Sequence, residues 1–314
     1  MLLPNKRVFT PPTFAPVPEP TQISGDLLRY EVKYALVAGY RPLELDLYLP
    51  AWTRTNPSGV VIWIHGGGYA SGHRRDLAPW YPKGELMRIA QALNSRNLAF
   101  VSLDYRLGKE ANFPNAIHDV NAALRWLALH SESLNLNPHE MALWGESAGA
   151  HLAAMTTFTQ GQTEFAGEIG VNRQVSYSLA ALVDWFGASD LLSIERPMDG
   201  SSGDDTDVMA YPPEYYNLGP SRWRDTEWLA KASPTNYVRA GLPPTLICHG
   251  TADTMVPIQQ SRLLSQRLVE AGVEARLEEV EGAEHAWMGM SPEALREVLS
   301  RTVDFLVHHL AGES

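Results

Sequence analysis

The stretch Trp144-Gly145-Glu146-Ser147-Ala148-Gly149-Ala150-His151 decides the fold of this 314-residue chain. Its core has the form G-x-S-x-G, a serine held between two glycines. A short apolar run, 141–144, precedes it, and an alanine-rich segment that favours helix follows. A serine at a sharp strand-to-helix turn needs adjacent glycines, because its backbone is strained and neighbouring chain segments approach closely. The pattern therefore predicts an exposed Ser147 Oγ at a strand end, facing the N–H groups of the next helix.

Apolar runs alternate with helical patterns along the rest of the chain. We predict strands at 30–36, 43–49, 60–64, 98–103, 141–144, 179–183, 245–248 and 275–280. The first two have period 2, which predicts an antiparallel pair at a sheet edge, whereas the continuous apolar runs indicate strands covered on both faces. Helical spacing of apolar residues falls at 116–127, 264–271 and 295–310. This alternation predicts an α/β fold with a mostly parallel eight-stranded sheet flanked by helices.

Two segments depart from that pattern. The first 20 residues contain six prolines, so residues 1–26 are predicted to form an extended arm packed over the body or a neighbouring subunit. Residues 188–237 have weak periodicity and many aromatic side chains, which predicts a cap-like insertion at the functional edge of the sheet. The predicted organisation is the arm followed by one domain, 27–314, that carries the insertion.

A serine hydroxyl is a weak nucleophile without a base that takes its proton and a third group that orients the base. Asp253 and His285 follow the last two predicted strands, which gives the order Ser147, Asp253, His285. The non-catalytic alternatives for these three residues are a helix-capping serine, an Asx-turn aspartate and a surface-loop histidine. Asp190 and Glu281 are weaker rivals for the acid, because neither lies in the loop after the seventh predicted strand. The three residues are therefore predicted to be catalytic.

A second signal is His65-Gly66-Gly67-Gly68-Tyr69, directly after the third predicted strand. Consecutive glycines contribute nothing to a core, but they present bare N–H groups to a site. We therefore predict an oxyanion hole built from the N–H groups of Gly67, Gly68 and Ala148. Residues beside this machinery are candidates for substrate binding, and these are Tyr69, Glu146 and Trp287.

Together these motifs resemble those of the HGGG-bearing esterase/lipase group of α/β-hydrolases. The similarity covers roughly residues 28–310 and includes His65–Tyr69, Asp104-Tyr105-Arg106, Gly145–His151, Ala232-Ser233-Pro234, His249–Asp253 and His285. The branch with Gly-Glu-Ser-Ala-Gly-Ala-His includes bacterial carboxylesterases, acetylxylan/feruloyl-type esterases and arylformamidase-like enzymes. The resemblance implies an α/β-hydrolase fold and a serine carboxylesterase that hydrolyses a small-molecule ester.

Several alternatives remain open within and beyond this group. The aromatic-rich insertion favours short acyl groups, because it narrows the pocket. An arylformamidase-like amidase and an acetylxylan/feruloyl-type esterase are the nearest alternatives, and a peptidase is less favoured without an accessory domain. A hydrolase-fold ligand-binding protein that lost its chemistry is a distant alternative, since the three predicted catalytic residues are all present.

Composition excludes several other functions. The formal charge is −11 and no basic run exceeds His73-Arg74-Arg75, which argues against a nucleic-acid partner. No apolar run approaches the roughly 18 residues of a membrane span. The single cysteine, Cys248, suits a reducing compartment, so a cytoplasmic location is expected. The sequence lacks metal-ligand spacing and nucleotide-binding glycine motifs, so no metal or cofactor is expected. A homo-oligomer is left open.

Neighbouring polar residues are given structural interpretations. His151 is expected to bond to a backbone carbonyl beneath the turn, and His118 and His249 to be satisfied buried or semi-buried histidines. Asp104 and Arg106 are expected either to pair and brace the oxyanion loop or to form an ordinary surface ion pair.

Overall fold

The computed structural model describes residues 14–37, 41–51, 55–75, 77, 81–171, 174–194 and 211–310. Two parts of the predictions, residues 1–13 of the arm and 195–210 of the insertion, lie outside the described residues.

The described residues form one nine-stranded sheet with the order β1-β2-β3-β5-β4-β6-β7-β8-β9. The strands are β1 (Thr21–Ser24), β2 (Leu27–Ala35), β3 (Leu43–Pro50), β4 (Ser58–Ile64), β5 (Leu98–Leu103), β6 (Leu136–Glu146), β7 (Leu179–Trp185), β8 (Thr245–Gly250) and β9 (Ala275–Val280). Pairing is antiparallel from β1 to β2, β2 to β3 and β3 to β5, and parallel elsewhere. The mostly parallel sheet and the antiparallel pair β2–β3 are confirmed.

The expected count of eight strands is wrong by one, because β1 lies inside the predicted arm. Its four residues, Thr-Gln-Ile-Ser, are mostly exposed and carry no apolar alternation. The strand forms because the edge of β2 offers unpaired N–H and C=O groups. Further back in the arm, Ala15 N donates to Lys33 O at 3.1 Å, and Trp126 Nε1 donates to Ala15 O at 2.9 Å. The described part of the arm therefore packs over this chain's own β2 and the helix that carries Trp126.

Helices cover both faces of the sheet. They are α1 (Glu85–Asn94), α2 (Asn115–Leu129), α3 (Ser131–Leu134), α4 (Ala148–Phe158), α5 (Thr163–Ala166), α6 (Pro213–Leu218), α7 (Thr226–Lys231), α8 (Gln259–Glu270) and α9 (Pro292–Leu310). Two 3-10 turns lie at Pro234–Tyr237 and His285–Trp287. The predicted helices at 116–127, 264–271 and 295–310 are confirmed as α2, α8 and α9.

Alternate side chains of each central strand enter two separate cores. On β4, Val60, Ile62 and Ile64 pack with α2, α4 and α8, whereas Val61 and Trp63 pack with α1 and α9. Every residue of β4 is buried. Burial of one large apolar side chain contributes about 1.5–3 kcal/mol, which explains why the central strands are apolar without alternation. The carboxyl ends of these rigid strands carry the site described below.

Candidate active site

Ser147 occupies a strained turn between β6 and α4. Its φ is 52° and its ψ is −119°, a conformation that costs a non-glycine residue free energy and that the surroundings must enforce. A Cβ on Gly145 would lie 2.3 Å from the carbonyl carbon of Gly149, and a Cβ on Gly149 would lie 2.1 Å from Ile64 O. Both glycines are therefore required, because the backbone at Gly145 packs against that at Gly149, and Gly149 packs against the end of β4.

The three residues predicted to be catalytic lie in one hydrogen-bonded line. His285 Nε2 is 3.0 Å from Ser147 Oγ, and His285 Nδ1 is 2.7 Å from Asp253 Oδ2. They follow the carboxyl ends of β6, β8 and β9, and β7 lies between β6 and β8 in the sheet. Because Nδ1 faces a carboxylate, it carries the ring hydrogen, which leaves Nε2 as the acceptor for the serine hydroxyl. The arrangement can move the Ser147 proton to His285.

The Asp253 carboxylate has four donors. Oδ1 accepts from Met255 N at 2.9 Å and Val256 N at 2.8 Å, and Oδ2 accepts from His285 and, at 3.1 Å, from His249 Nε2. Burial raises the pKa of this carboxyl, but the bonds from His249 and His285 outweigh burial and hold the pKa well below its usual range. Asp253 is therefore ionised at neutral pH.

His249 is a satisfied buried histidine, as expected, since it is fully buried and its Nδ1 lies 2.6 Å from Ser261 Oγ. Its contact with Asp253 was missed by the sequence reasoning. The available signal was spacing, because His249 is four residues before Asp253 and points from the end of β8 into the loop that follows it.

Two of the three predicted oxyanion residues line the same cavity as Ser147, namely Gly68 and Ala148. Ala148 is the first residue of α4, where backbone N–H groups have no partner within the helix. Gly67 is absent from the described lining. With φ at 102°, an added Cβ there would lie 2.2 Å from Ser71 O, so Gly67 allows the loop to turn.

The residues predicted to bind substrate fall in different places. Tyr69 is part of the cavity wall. Glu146 and Trp287 are outside the described lining. Glu146 is buried and accepts from Tyr81 OH at 2.8 Å, and burial raises its pKa. Trp287 packs edge-on against Phe186 with ring centroids 4.9 Å apart. A substrate role for these residues stays a prediction.

The insertion supplies the opposite wall of the cavity through residues that the sequence did not single out. Ala188 and Leu191 give it apolar surface, whereas Glu214 and Asn217 bring polar groups from α6. Asn217 is 4% exposed, and its Nδ2 has no hydrogen-bond partner within the described part of the chain. The segment 188–237 therefore contributes both apolar and polar surface to the site.

Asp104 and Arg106 do not pair with each other, so both expected forms of that pair are wrong. Asp104 Oδ2 binds Arg74 Nη1, and Arg106 Nη2 binds Asp119 Oδ1, each at 2.5 Å. The two side chains of this loop point to different elements, Asp104 to the segment after the glycine loop and Arg106 to α2. Arg74 is therefore the residue that ties the end of the glycine loop to β5.

The remaining histidines near the site have structural partners. His151 Nε2 lies 2.6 Å from Ala232 O, as expected, and burial lowers the pKa of His151 to about 4. His118 Nε2 lies 2.8 Å from a carbonyl oxygen of α5. His65 stacks on Tyr105 with centroids 4.4 Å apart. These contacts order the loops and leave His285 as the histidine beside the serine.

Two further observations concern cofactors and membranes. In the described ranges, no group of three His, Cys, Asp or Glu side chains is arranged to hold a metal ion. None of the described helices is both long enough and apolar enough to cross a bilayer.

The sheet order, the strained serine turn and the Ser147–His285–Asp253 line define an α/β-hydrolase fold with the geometry of a serine hydrolase site. The sequence profile of the BD-FAE family matches residues 45–268. The chain belongs to this family.

Similar proteins carry the same architecture. A truncated carbohydrate esterase from gut microbiota has a TM-score of 0.72 and 26% identity, covering 85% of this chain and 91% of that one. Thermogutta terrifontis esterase 2, in a structure phosphorylated by paraoxon, has a TM-score of 0.68 and 25% identity, covering 91% and 96%. A probable isoprenylcysteine alpha-carbonyl methylesterase of Arabidopsis thaliana is 27% identical over 81% of this chain. This chain spans about half of that relative, 51% of its length.

Proposed function

We propose that the protein is a serine carboxylesterase that hydrolyses carboxylic esters through an acyl-enzyme intermediate on Ser147. The observation that carries the proposal is the hydrogen-bonded line from Ser147 Oγ through His285 to the ionised Asp253. The strained turn supports it, because strain at a buried site is retained where the chemistry needs it. The esterase names of the relatives, including one phosphorylated by an organophosphate, support the same reaction class.

Each residue has a defined task in the proposed reaction. His285 Nε2 takes the hydroxyl proton as Ser147 Oγ attacks the ester carbonyl, and the N–H groups of Gly68 and Ala148, with Gly67 as a further candidate, stabilise the oxyanion. His285 then protonates the departing alcohol. A water molecule repeats the attack on the acyl-enzyme, releases the acid and regenerates the serine. Asp253 fixes the imidazole tautomer and stabilises its protonated form.

Replacement of the serine tests this proposal. Ser147→Ala should lower kcat/KM on p-nitrophenyl acetate by at least about 10³-fold, since the nucleophile is lost. Intact-mass measurement after paraoxon treatment should give one phosphoryl adduct, mapped to Ser147, in the wild type and none in the variant. Ser95→Ala on the surface is the matched control and should retain full activity. Equal ester turnover in Ser147→Ala and the wild type contradicts the proposal.

The preferred acyl group is proposed to be short. The cavity beside Ser147 has a volume of about 20 Å³, room for about one water molecule, and Ala188, Leu191 and Val256 make part of its wall apolar. An arylformamidase-like amidase is the alternative within the same chemistry. Turnover that is highest on acetyl esters and falls steeply toward decanoyl esters supports a short acyl group. Ester turnover with none on N-formylkynurenine supports the esterase, whereas a preference for N-formylkynurenine over the esters supports the amidase.

An ester of a hydroxylated alcohol, such as an acetylated carbohydrate, is the second candidate substrate class. Asn217 Nδ2 favours it, because a buried donor without a partner costs about 1–3 kcal/mol until an acceptor arrives. The carbohydrate esterase among the similar structures supports the same class.

A matched pair of substrates tests this second candidate. Glycerol monoacetate carries hydroxyl acceptors that propyl acetate lacks, so the wild type should have the lower KM for the former. Asn217→Leu should remove most of that difference and leave kcat/KM on propyl acetate within a few-fold. A preference for glycerol monoacetate that persists in Asn217→Leu argues against this role of Asn217.

A cytoplasmic location is also proposed. The sequence has a single cysteine, Cys248, so it forms no intrachain disulfide, which suits a reducing compartment. Cell fractionation with an antibody against the protein tests the location, and recovery outside the cytoplasmic fraction contradicts it.

A further inference from the structure

The carboxylate of Asp253 is shared between two imidazole rings. Oδ2 lies 2.7 Å from His285 Nδ1 and 3.1 Å from His249 Nε2. His249 Nε2 also lies 2.9 Å from Val256 O, and His249 Nδ1 lies 2.6 Å from Ser261 Oγ. The ring of His249 is fully buried. Asp253 Oδ2 thus contacts His285, the base of the proposed reaction, and also His249, a second histidine that the reaction does not use.

The hydrogen bonds assign the tautomer of His249. Nε2 faces a carboxylate oxygen and a carbonyl oxygen, both acceptors, so Nε2 carries the hydrogen. Nδ1 faces the Ser261 hydroxyl, which can donate to it. With these roles both ring nitrogens are paired, and Nε2–H gives the Asp253 carboxylate a donor.

Ionisable groups act on His249 from several elements of the fold. Asp184 on β7, Glu279 on β9 and Asp253 act on it from neighbouring strands and loops, and His285 lies on the far side of Asp253. The helix α8 contributes the uncharged Ser261 hydroxyl. The ring is held between β8 and α8, so the direction of its Nε2–H toward Asp253 is fixed by the fold.

We propose that His249 is a positioning residue: its Nε2–H orients the Asp253 carboxylate toward His285 and shares the negative charge of that carboxylate. This inference rests on the proposed serine-esterase function. Without the second donor, the carboxylate is held in its orientation by one bond fewer, and its negative charge is no longer shared between two rings but acts on protonated His285 alone. Both consequences are measurable.

Replacement of His249 tests the role. His249→Phe keeps the ring volume and removes the donor, so kcat should fall about 10-fold to 100-fold with little change in KM, as for a misaligned catalytic group. The acidic limb of the kcat/KM profile should also move to higher pH by roughly half a unit or more, because a carboxylate with one donor fewer stabilises the His285 cation more strongly. His249→Gln, which restores an N–H donor, should recover part of both changes.

The control matches the histidine and its serine partner. His139 makes a comparable bond to Ser178 Oγ, 3.0 Å, on the surface, and His139→Phe should change neither kcat nor the acidic limb. Urea unfolding reports whether each variant is folded. If His249→Phe does not fold, Ser261→Ala replaces it, because loss of the hydroxyl that orients the ring must move the acidic limb in the same direction.

The outcomes separate this inference from the proposed function. An acidic limb at its wild-type pH in folded His249→Phe, or in Ser261→Ala where that variant is used, overturns the positioning role. Full esterase activity in Ser147→Ala, or paraoxon labelling at another residue, overturns the proposed function itself, whatever the His249 variants do.

Discussion

Asp184, near the carboxyl end of β7, is a buried carboxyl with incomplete pairing. Oδ1 accepts from Gly187 N at 2.8 Å, whereas Oδ2 has no partner within the described residues. Burial raises the pKa of Asp184 to about 6, and the Gly187 bond and His249 only partly oppose this. The native protein therefore binds this proton more tightly than the unfolded chain does.

The sign of the resulting pH dependence follows directly. The stabilising contribution of protonated Asp184 is complete below the unfolded pKa, near 4, and is lost as pH rises through about 6. Asp184→Asn, which cannot ionise, should therefore gain stability relative to the wild type between pH 4 and pH 8, by up to about 3 kcal/mol. Urea unfolding of both proteins across that range measures the gain. Asp304→Asn, at an exposed position of α9, is the control and should give no such trend. A difference in unfolding free energy between Asp184→Asn and the wild type that stays constant with pH contradicts the prediction.

The elements that sequence patterns could predict are those whose own side chains specify their environment. Strands buried on both faces, such as β4, and helices with one buried apolar face, such as α9, can be predicted because burial of each face requires a characteristic spacing. The glycines of the serine turn were predictable for a similar local reason, since a Cβ does not fit there. Local sequence patterns therefore sufficed to predict the central strands and helices and the grouping of Ser147, Asp253 and His285.

The elements that were not predicted depend on contacts between distant parts of the chain. β1 exists because of the edge of β2, and the exchange of β4 and β5 in sheet order leaves no trace in the chain order. The partners of Asp104 and Arg106 come from other elements, Arg74 and Asp119, so adjacency within one loop gave the wrong pair. The cavity wall formed by α6 also depends on tertiary placement, since its six residues are too few for a periodic signal.

At the scale of the whole molecule, Arg74 joins the antiparallel strands to the carboxyl-end edge of the parallel strands, the edge that carries Ser147. Its guanidinium binds Glu44 at 3.0 Å and Asp46 at 3.0 Å on β3, and Asp104 at 2.5 Å after β5. Arg74 is 5% exposed and Asp46 is fully buried. Burial raises the pKa of Asp46, but hydrogen bonds from Arg75 and the charge of Arg74 lower it further than burial raises it. The buried carboxylate of Asp46 is stable as an anion because these arginines are present.

Arg74→Met should therefore destabilise the protein by about 3 kcal/mol or more at pH 8, because it removes the buried guanidinium that Asp46 and Asp104 share. The loss should shrink as pH falls through the range in which Asp46 gains its proton, since this carboxyl, whose pKa is lowered in the folded protein, contributes stability only while it is ionised. Urea unfolding at pH 8 and at about pH 3, below the ordinary pKa of an aspartate, measures both effects. Arg296→Met is the matched control, because Arg296 and its partner Glu293, 3.3 Å away, are both mostly exposed, and such surface pairs contribute about 0–1 kcal/mol. If the two variants lose the same small free energy of unfolding, the charged cluster around Arg74 does not hold the antiparallel strands to the edge of the sheet that carries Ser147. The apolar cores alone must then do so.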